Sequence, residues 1–457
     1  MSCAIRINDD LFIAHAEHAS LHLLKKQAFK EVIKMFLDNE EYSKEKSLER
    51  CREYWNPSRT DAWINMGIDI MIGKREGYYF WDLDGRKFMN LHLNGGTYNV
   101  GHRNPEVIET MIEATKEFDI GNHHFGSVAR GYLAEKIVKL STPGMKYAVF
   151  SSCGGAANDV AIKAVRYATK RRKIVTLNKC FHGHTGLAML AGDEYYTDAF
   201  LSSDPENYLH VDMDDVEAME NVLKNEDVAG VLIETIPATY GFPIPAPGYL
   251  KKVKELCEKY GTLYIADEVQ TGLMRTGKLW GIEWEGVNPD IIVTGKGLSG
   301  GMYPFAATIM TKEAGKWVEE FGRGHTDTFG GSEIGCVVAG KVLDIVTRQS
   351  TVDNVHWMTE YLKEGLDRVQ KMYSDFFTSY TQRGIIFGLR FGVPDGGIAA
   401  MQSFYNNGIW AIYARFDTQI VQFKPGLLCT KEYCDELLYK FEKSVKEARD
   451  KYIGKRN

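Results

Sequence analysis

The chain lacks the features that mark several large classes of protein. Its 457 residues carry a formal net charge of -6, so there is no basic excess of the kind that binds nucleic acid. No apolar run approaches the roughly 18 residues needed to cross a bilayer, and the first residues lack the apolar core of a secretory signal. With 44% hydrophobic and 25% charged residues, the composition is that of a globular, enzyme-sized protein, large enough for more than one domain.

Cysteine is present but not in any arrangement that builds a structure. The eight cysteines are scattered and form no C-x-x-C pair. This spacing argues against a zinc site or a disulfide framework and suits a reducing compartment. His15, His18 and His22 share one face of a helix predicted over residues 11–38, but no carboxylate completes a metal site at helical spacing. We therefore expect a cytoplasmic protein without a bound metal.

The hydrophobic pattern predicts an α/β fold. Between residues 100 and 345, helices alternate with short apolar strands, which is typical of a mostly parallel sheet covered by helices on both faces. Strands are predicted at 146–151, 173–177, 230–236, 262–267, 290–294 and 305–310. The later part of the chain predicts helices at 354–373, 396–406 and 430–453 with short strands near 385–391, 409–414 and 419–423.

The change of pattern predicts a division of the chain into parts. We expect an N-terminal helical arm (1–60), a segment that belongs to a small domain (61–98), a large domain (99–345) and a C-terminal small domain of α+β type (346–457). A hairpin is predicted over 78–86.

A lysine and two acids stand near the ends of predicted buried strands. Asp267 ends one apolar run, Lys296 follows another, and Glu234 interrupts a third. A pyridoxal phosphate enzyme needs an amine for a Schiff base and an acid that keeps the pyridine nitrogen protonated. A structural salt bridge is the alternative for either acid alone. Because strand ends converge in an α/β sheet, the two acids and the lysine together favour a cofactor site.

Glycine patterns indicate where a phosphate binds. Gly154 and Gly155 join a strand to a helix, whose free N–H groups would cradle a phosphate; a plain tight turn is the alternative. The pattern over 295–300 also resembles a nucleotide-binding loop, but a strand rather than a helix is predicted after it. The pattern over 272–278 resembles a phosphate-binding loop, but Leu279 stands where a Ser or Thr belongs. We reject both.

The most specific motifs are Asp267–Gly272, Arg275–Gly277 and Thr294–Lys296. In this combination the chain resembles the class III (ω-type) aminotransferases, which belong to the fold-type I enzymes dependent on pyridoxal 5'-phosphate. The resemblance extends over most of the chain after residue 60. It implies a large cofactor-binding domain with a mostly parallel sheet and a smaller α+β domain.

The resemblance also implies roles for individual residues. Lys296 would carry the cofactor as a Schiff base and move the proton during catalysis, and Asp267 would pair with the pyridine nitrogen. Thr328 would reach the phosphate of the neighbouring subunit, which implies a homodimer with shared active sites. The other residues that would bind the cofactor are Gly154 and Gly155 at the phosphate, Phe181 and Val269 on the two ring faces, Gln270 near the phenolic oxygen, and Glu234.

Three positions depart from the pattern of this family. Gly155 lacks a hydroxyl that is common there, so that backbone amides, Ser151 or Ser152 would have to compensate. His184 and Gln422 stand where many relatives carry arginine. Neither can make the bidentate contact with a carboxylate that arginine makes.

We expect an aminotransferase that moves an amino group from a primary amine donor to a 2-oxo acid such as pyruvate or 2-oxoglutarate. The donor would be a diamine, an ω-amino acid or an amino acid, and the lack of an arginine at position 184 favours a donor without a carboxylate there. An amino-acid racemase, epimerase or aminomutase on the same scaffold is the alternative, because the sequence does not decide where the proton returns.

Overall fold

The structure is a computed structural model that describes Val32, Ile33, Phe36 and residues 42–122 and 124–454. The three histidines of the predicted N-terminal helix lie outside the described residues. The chain divides into two compact units, with the boundary between Met89 and Asn90. Within the described ranges, none of the helices is long and apolar enough to span a membrane. The division into four parts stays a prediction.

From residue 42 onward, the described part of the first unit contains two α-helices and a small antiparallel sheet, whose last strand ends one residue beyond the boundary. Its elements are α1 (Lys44–Arg50), which continues as a π-helical turn (Cys51–Trp55), α2 (Pro57–Asn65), β1 (Ile72–Glu76), β2 (Tyr79–Asp82) and β3 (Lys87–Asn90). Asn56 caps α2, since its side chain accepts a hydrogen bond from the backbone of Arg59. Phe80 of β2 pairs with Phe88 of β3, and their buried rings stack at 5.1 Å. The predicted hairpin is confirmed.

The second unit is built around a seven-stranded sheet of order β4-β10-β9-β8-β7-β5-β6. Its strands are β4 (Met145–Ser151), β5 (Lys173–Leu177), β6 (Tyr208–Val211), β7 (Val228–Glu234), β8 (Leu263–Asp267), β9 (Ile291–Thr294) and β10 (Ala306–Thr311). Only β10 runs against the others. The predicted mostly parallel sheet is confirmed. The edge strand β6 was not predicted, because its four residues show no clear apolar run.

Helices lie before, between and after these strands in the chain. They are α3 (Leu93–Gly96), α4 (Pro105–Ala114), α5 (Val128–Lys139), α6 (Gly154–Thr169), α7 (Gly186–Leu190), α8 (Val216–Leu223), α9 (Tyr249–Lys259), α10 (Lys316–Glu320), α11 (Glu333–Thr347) and α12 (Gln349–Met372). Short 3₁₀ turns lie at Glu194–Tyr196, Asp198–Phe200, Gly281–Glu285 and Lys296–Ser299.

Helix α6 packs very closely on the sheet. Its buried face is rich in alanine, and a Cβ at Gly230 of β7 would lie 2.8 Å from Val165. Small residues on both sides therefore allow the close approach. This packing holds the N-terminus of α6, at Gly154, beside the ends of the central strands.

The remaining chain forms an antiparallel sheet of order β11-β12-β15-β14 with flanking helices. Its elements are β11 (Phe377–Arg383), β12 (Ile386–Phe391), α13 (Gly396–Asn406), β13 (Ile409–Trp410), β14 (Ile412–Ala414), β15 (Asp417–Phe423) and α14 (Lys431–Gly454). Aromatic rings form its core, with Phe404 and Phe423 at 5.4 and 5.7 Å from the ring of Phe441. Edge strand β11 was not predicted; after Phe377 its side chains are only partly buried or exposed, so the sequence shows no apolar run.

Candidate active site

Asp267 ends β8 as a buried carboxylate with every oxygen engaged. Its Oδ2 lies 2.7 Å from Nδ1 of His182 and accepts a hydrogen bond from the side chain of Asn158 at 2.9 Å. Its Oδ1 accepts from the backbone of Val269 at 3.0 Å. The other nitrogen of His182 lies 3.1 Å from the hydroxyl of Thr176. These contacts fix the carboxylate in one orientation.

His182, beside Asp267, lies in an environment that favours its protonated form. Burial opposes its protonation, but Cys180 and the hydrogen-bonded Asp267 carboxylate raise the pKa of His182 well above its ordinary value. The pair is buried, with side-chain exposures of 0% for His182 and 4% for Asp267, so solvent does not screen it. A positive imidazolium stabilises the negative carboxylate that faces it.

Glu234 lies beside Asp267 in the register of β7 and β8, and its carboxylate orders a loop. It accepts hydrogen bonds from the backbone of Phe181 at 2.9 Å and of Ala238 at 3.1 Å. Burial raises the pKa of Glu234 to about 7, with Asp267 adding to the shift and His182 opposing it. The contact to Phe181 places its ring 5.1 Å from that of His184.

Lys296 follows β9 in a conformation that is uncommon for lysine. Its φ is +42°, in the left-handed region, and such strain is concentrated at functional sites. A Cβ added to Gly95 would lie 2.7 Å from Cε of Lys296 and 3.5 Å from Oε1 of Gln270. The structure therefore brings Lys296, Gln270 and the backbone of Gly95 together.

The amine of Lys296 lies in an environment that disfavours its charged form. Burial lowers the pKa of Lys296 below its ordinary value of 10.5, against the opposing charges of Asp267 and Glu234. Its ammonium makes no hydrogen bond to any residue in the described ranges. A lysine of lowered pKa is more often in the neutral form, which is the nucleophile and the base.

The two glycines at the start of α6 leave no room for a side chain. A Cβ at Gly154 would lie 3.1 Å from Val269, and a Cβ at Gly155 would lie 2.9 Å from the hydroxyl oxygen of Thr185. Thr185 therefore places a hydroxyl where the side chain of residue 155 would be. The sequence analysis did not predict this residue, since nothing local links it to Gly155.

Several buried polar atoms near this point have no partner among the described residues. They are Oγ1 of Thr185, Oε1 of Gln270 and Oδ1 of Asn158. Buried polar groups are normally satisfied, so unsatisfied ones indicate a polar ligand. The free N-terminus of α6 and the hydroxyl of Thr185 match the phosphate of pyridoxal phosphate. The amide of Gln270 matches its phenolic oxygen, the carboxylate of Asp267 its ring nitrogen, and the amine of Lys296 its aldehyde. The residues present fit this cofactor.

Thr328 lies in a loop that adjoins the start of α6. Asp327 accepts a hydrogen bond from the backbone of Ser152 at 2.9 Å, and the backbone of Asn122 donates to the Thr328 carbonyl at 2.7 Å. The side chain of Thr328 itself is exposed in the single chain. Its predicted contact with a neighbouring subunit stays a prediction.

The glutamate of the Asp267–Gly272 motif has a structural task. Glu268 is 1% exposed and accepts from the hydroxyls of Thr235 and Thr271, both at 2.6 Å. It also accepts from the backbone of Gly281 and Ile282 at 2.8 and 2.7 Å. The carboxylate therefore binds the turn after β8 to the 3₁₀ turn that follows it, which holds Val269 and Gln270 in place.

Arg275 explains the second motif. It is fully buried and donates to the side chain of Asn99 and to the carbonyl of Pro425. It thus connects the turn after β8 to the segment after β15. Two positions where many relatives carry arginine differ in exposure. Gln422 in β15 is buried, at 6% exposure, whereas His184 is exposed.

Comparison with known proteins shows which proteins this chain resembles over most of its length. The family model for class III aminotransferases matches residues 63–445. The chain is 44% identical over 388 residues to an uncharacterised aminotransferase of Archaeoglobus fulgidus, which covers 85% of this chain and 91% of the relative. It is 30% identical over 392 residues to ornithine aminotransferase 2 of Staphylococcus saprophyticus, covering 82% and 93%. The fold is similar to that of ornithine aminotransferase from Toxoplasma gondii, with a TM-score of 0.83 and 24% identity over 92% of this chain and 99% of the other.

Proposed function

This chain belongs to the class III aminotransferases, which use pyridoxal phosphate. We propose that Lys296 binds the cofactor and that Asp267 keeps the nitrogen of its ring protonated. The enzyme transfers an amino group from an amine donor to a 2-oxo acid, so transamination is favoured over the racemase, epimerase and mutase alternatives. The observation that carries the assignment is the position of Lys296. Its amine follows a central strand, has a lowered pKa and makes no hydrogen bond to a described residue.

When bound, the cofactor supplies an electron sink for the bond that breaks at the substrate carbon. The neutral amine of Lys296 would take the proton from that carbon and return it two bonds away, on the far side of the nitrogen that is transferred. Asp267 holds a proton at the pyridine nitrogen, and His182 keeps the carboxylate charged and oriented. Lys296 would thus move one proton and Asp267 would hold another, and the buried hydrogen bonds keep the Asp267 carboxylate in place.

The remaining residues position the cofactor. Val269 and Phe181 would enclose the two faces of the ring, and Gln270 would meet the phenolic oxygen. The contact of Glu234 with the backbone of Phe181 supports a positioning role for this acid. Glu234 would therefore act on the cofactor site through the loop that carries Phe181.

The phosphate would lie at the N-terminus of α6. Gly154 and Gly155 leave the backbone open to an anion, and Thr185 would donate the hydroxyl that residue 155 lacks. Thr328 of a neighbouring subunit would complete the site. Thr185 is thus a further candidate beside the backbone amides, Ser151 and Ser152 that the sequence suggested.

The finer assignments concern the donor, the assembly and the compartment. We assign a donor with a primary amine: a diamine, an ω-amino acid or an amino acid; the relative named ornithine aminotransferase 2 supports an ω-amino acid. Exposed apolar side chains near the Thr328 loop, Phe125 at 80% and Val128 at 90%, support a homodimer with shared active sites. The seven described cysteines are all free, which supports a reducing compartment such as the cytoplasm.

Peptide mapping tests the central assignment. Borohydride reduction of the holoenzyme, followed by mass spectrometry, should place the cofactor on the peptide that contains Lys296. Lys296→Ala should lose this label and its turnover, whereas Lys363→Ala, at an exposed lysine of α12, should keep both. A label on any other lysine would refute the proposal. A panel of amine donors, scored by the colour change of a single turnover, then identifies the donor.

A further inference from the structure

A second lysine, Lys424, is buried next to the site without a carboxylate partner in the described part of the chain. It is 1% exposed, and its ammonium donates to Oε1 of Gln422 at 2.8 Å. The ring of Phe242 lies 5.0 Å from the same nitrogen. An amide oxygen and an aromatic face solvate the ammonium in part, but neither supplies a negative charge.

A backbone hydrogen bond places Lys424 beside the chain segment that contacts Lys296. Its N–H donates to the carbonyl of Leu91 at 2.7 Å, at the start of the segment that ends at Gly95. Gly95 is the residue whose Cβ would contact Lys296. Burial and the charges of Lys424 and Lys296 together lower the pKa of His92, in the same segment, well below its ordinary value. The two lysines therefore flank one short stretch of backbone.

Two other cationic side chains, Arg275 and Lys296, lie close enough to Lys424 to oppose its positive charge. Burial and the charges of Arg275 and Lys296 hold the pKa of Lys424 well below its ordinary value. A buried ammonium is costly unless an anion accompanies it. An entering carboxylate would supply the missing negative charge and favour the charged form of Lys424, and water would screen this buried pair little.

The established reaction requires such an anion. A 2-oxo acid carries a carboxylate directly beside the carbonyl carbon that reacts. Neither His184 nor Gln422 offers a guanidinium to bind it. Among the described residues, the ammonium of Lys424 has one hydrogen-bond acceptor, and this acceptor is a neutral amide oxygen.

We propose that Lys424, with Gln422, binds the carboxylate of the 2-oxo acid acceptor. The ammonium contacts one carboxylate oxygen, and the amide N–H groups of Gln422, whose Oε1 is occupied by Lys424, contact the other. The inference rests on the proposed attachment of the cofactor to Lys296, which places the reacting carbonyl near Gly95. It makes Lys424 a specificity-determining residue that selects acceptors with a carboxylate.

The test compares acceptors with and without a carboxylate. Lys424→Met keeps the length of the side chain and removes the charge. For pyruvate, kcat/KM should fall about 10- to 100-fold, as expected for losing a hydrogen bond to a charged group. For acetaldehyde, which is pyruvate with hydrogen in place of the carboxylate, it should change less than about twofold. Lys424→Arg should restore part of the loss, and the exposed Lys431→Met of α14 should change neither value.

A binding measurement removes the dependence on turnover. Calorimetric titration of the holoenzyme with propanoate, an unreactive carboxylate, should give an affinity about 10-fold or more above that of Lys424→Met, and neither protein should bind propanamide. Equal losses for pyruvate and acetaldehyde, or equal affinities for propanoate, would overturn the inference. If Lys424→Met does not fold, Lys424→Gln is measured in the same way.

The same protein samples separate this inference from the proposed function. Borohydride mapping of wild type and Lys424→Met should place the label on Lys296 in both. A label on Lys296 with unchanged acceptor selectivity overturns only the role of Lys424. A wild-type label elsewhere overturns the cofactor assignment itself.

Discussion

Replacing Gly95 with alanine should disable the enzyme through one misplaced side chain. The new Cβ would lie 2.7 Å from Cε of Lys296, about 1 Å inside normal carbon–carbon contact. The backbone of Gly95 cannot yield easily, because its φ of +72° is already unfavourable for alanine, by about 1–2 kcal/mol. Lys296 must therefore move by about 1 Å, and a misplacement of that size slows catalysis by about 100-fold.

Gly286→Ala is the matched control. Gly286 has a similar φ of +64°, but a Cβ there would meet nothing within 4 Å. Both variants should therefore lose about 1–2 kcal/mol of unfolding free energy from the backbone alone. Only Gly95→Ala should also lose activity, since only its Cβ reaches a reacting group.

The assay is the single-turnover half-reaction with a saturating amine donor, followed by absorbance, together with calorimetric melting of each variant. The expected result is a rate about 100-fold below wild type for Gly95→Ala and a wild-type rate for Gly286→Ala, with similar losses in melting temperature. A wild-type rate for Gly95→Ala would refute the placement of Lys296. Equal rate losses in both variants would show that backbone strain, not contact, is responsible.

Two further predictions concern the buried acids. Asp267→Asn should retain the cofactor by absorbance but slow proton removal from the donor about 100- to 1,000-fold in stopped-flow experiments, because a neutral amide does not hold the ring nitrogen protonated. A wild-type rate would assign that task to another group. Glu234 should make the folded protein less stable as pH rises from about 4.5 to about 7, because the folded state binds the proton more tightly than the unfolded one. Urea unfolding across this pH range should show that the free energy of unfolding decreases by about 3 kcal/mol less in Glu234→Gln than in the wild type. Identical pH profiles of the two proteins would contradict the raised pKa.

Much of the fold could be predicted because it depends on local patterns. The predicted strands β4, β5, β7, β8, β9 and β10 all lie within two residues of their observed bounds. The strands β6 and β11 were missed because each lies at the edge of a sheet, where half-exposed side chains weaken the apolar signal. Their formation depends on a neighbour that is distant in the chain.

The sequence alone determined the position of Asp267 and Lys296 at the ends of neighbouring central strands, because apolar runs and the parallel order of an α/β sheet are sufficient to place them. It also located the turn that we propose for the phosphate, since a glycine pair between strand and helix is a local signal. Only the tertiary structure placed the hydroxyl of Thr185 in the space that Gly155 leaves, and Lys424 beside the segment that supports Lys296. Those contacts join residues far apart in the chain, and the close packing of helices and strands, which no local pattern encodes, brings them together.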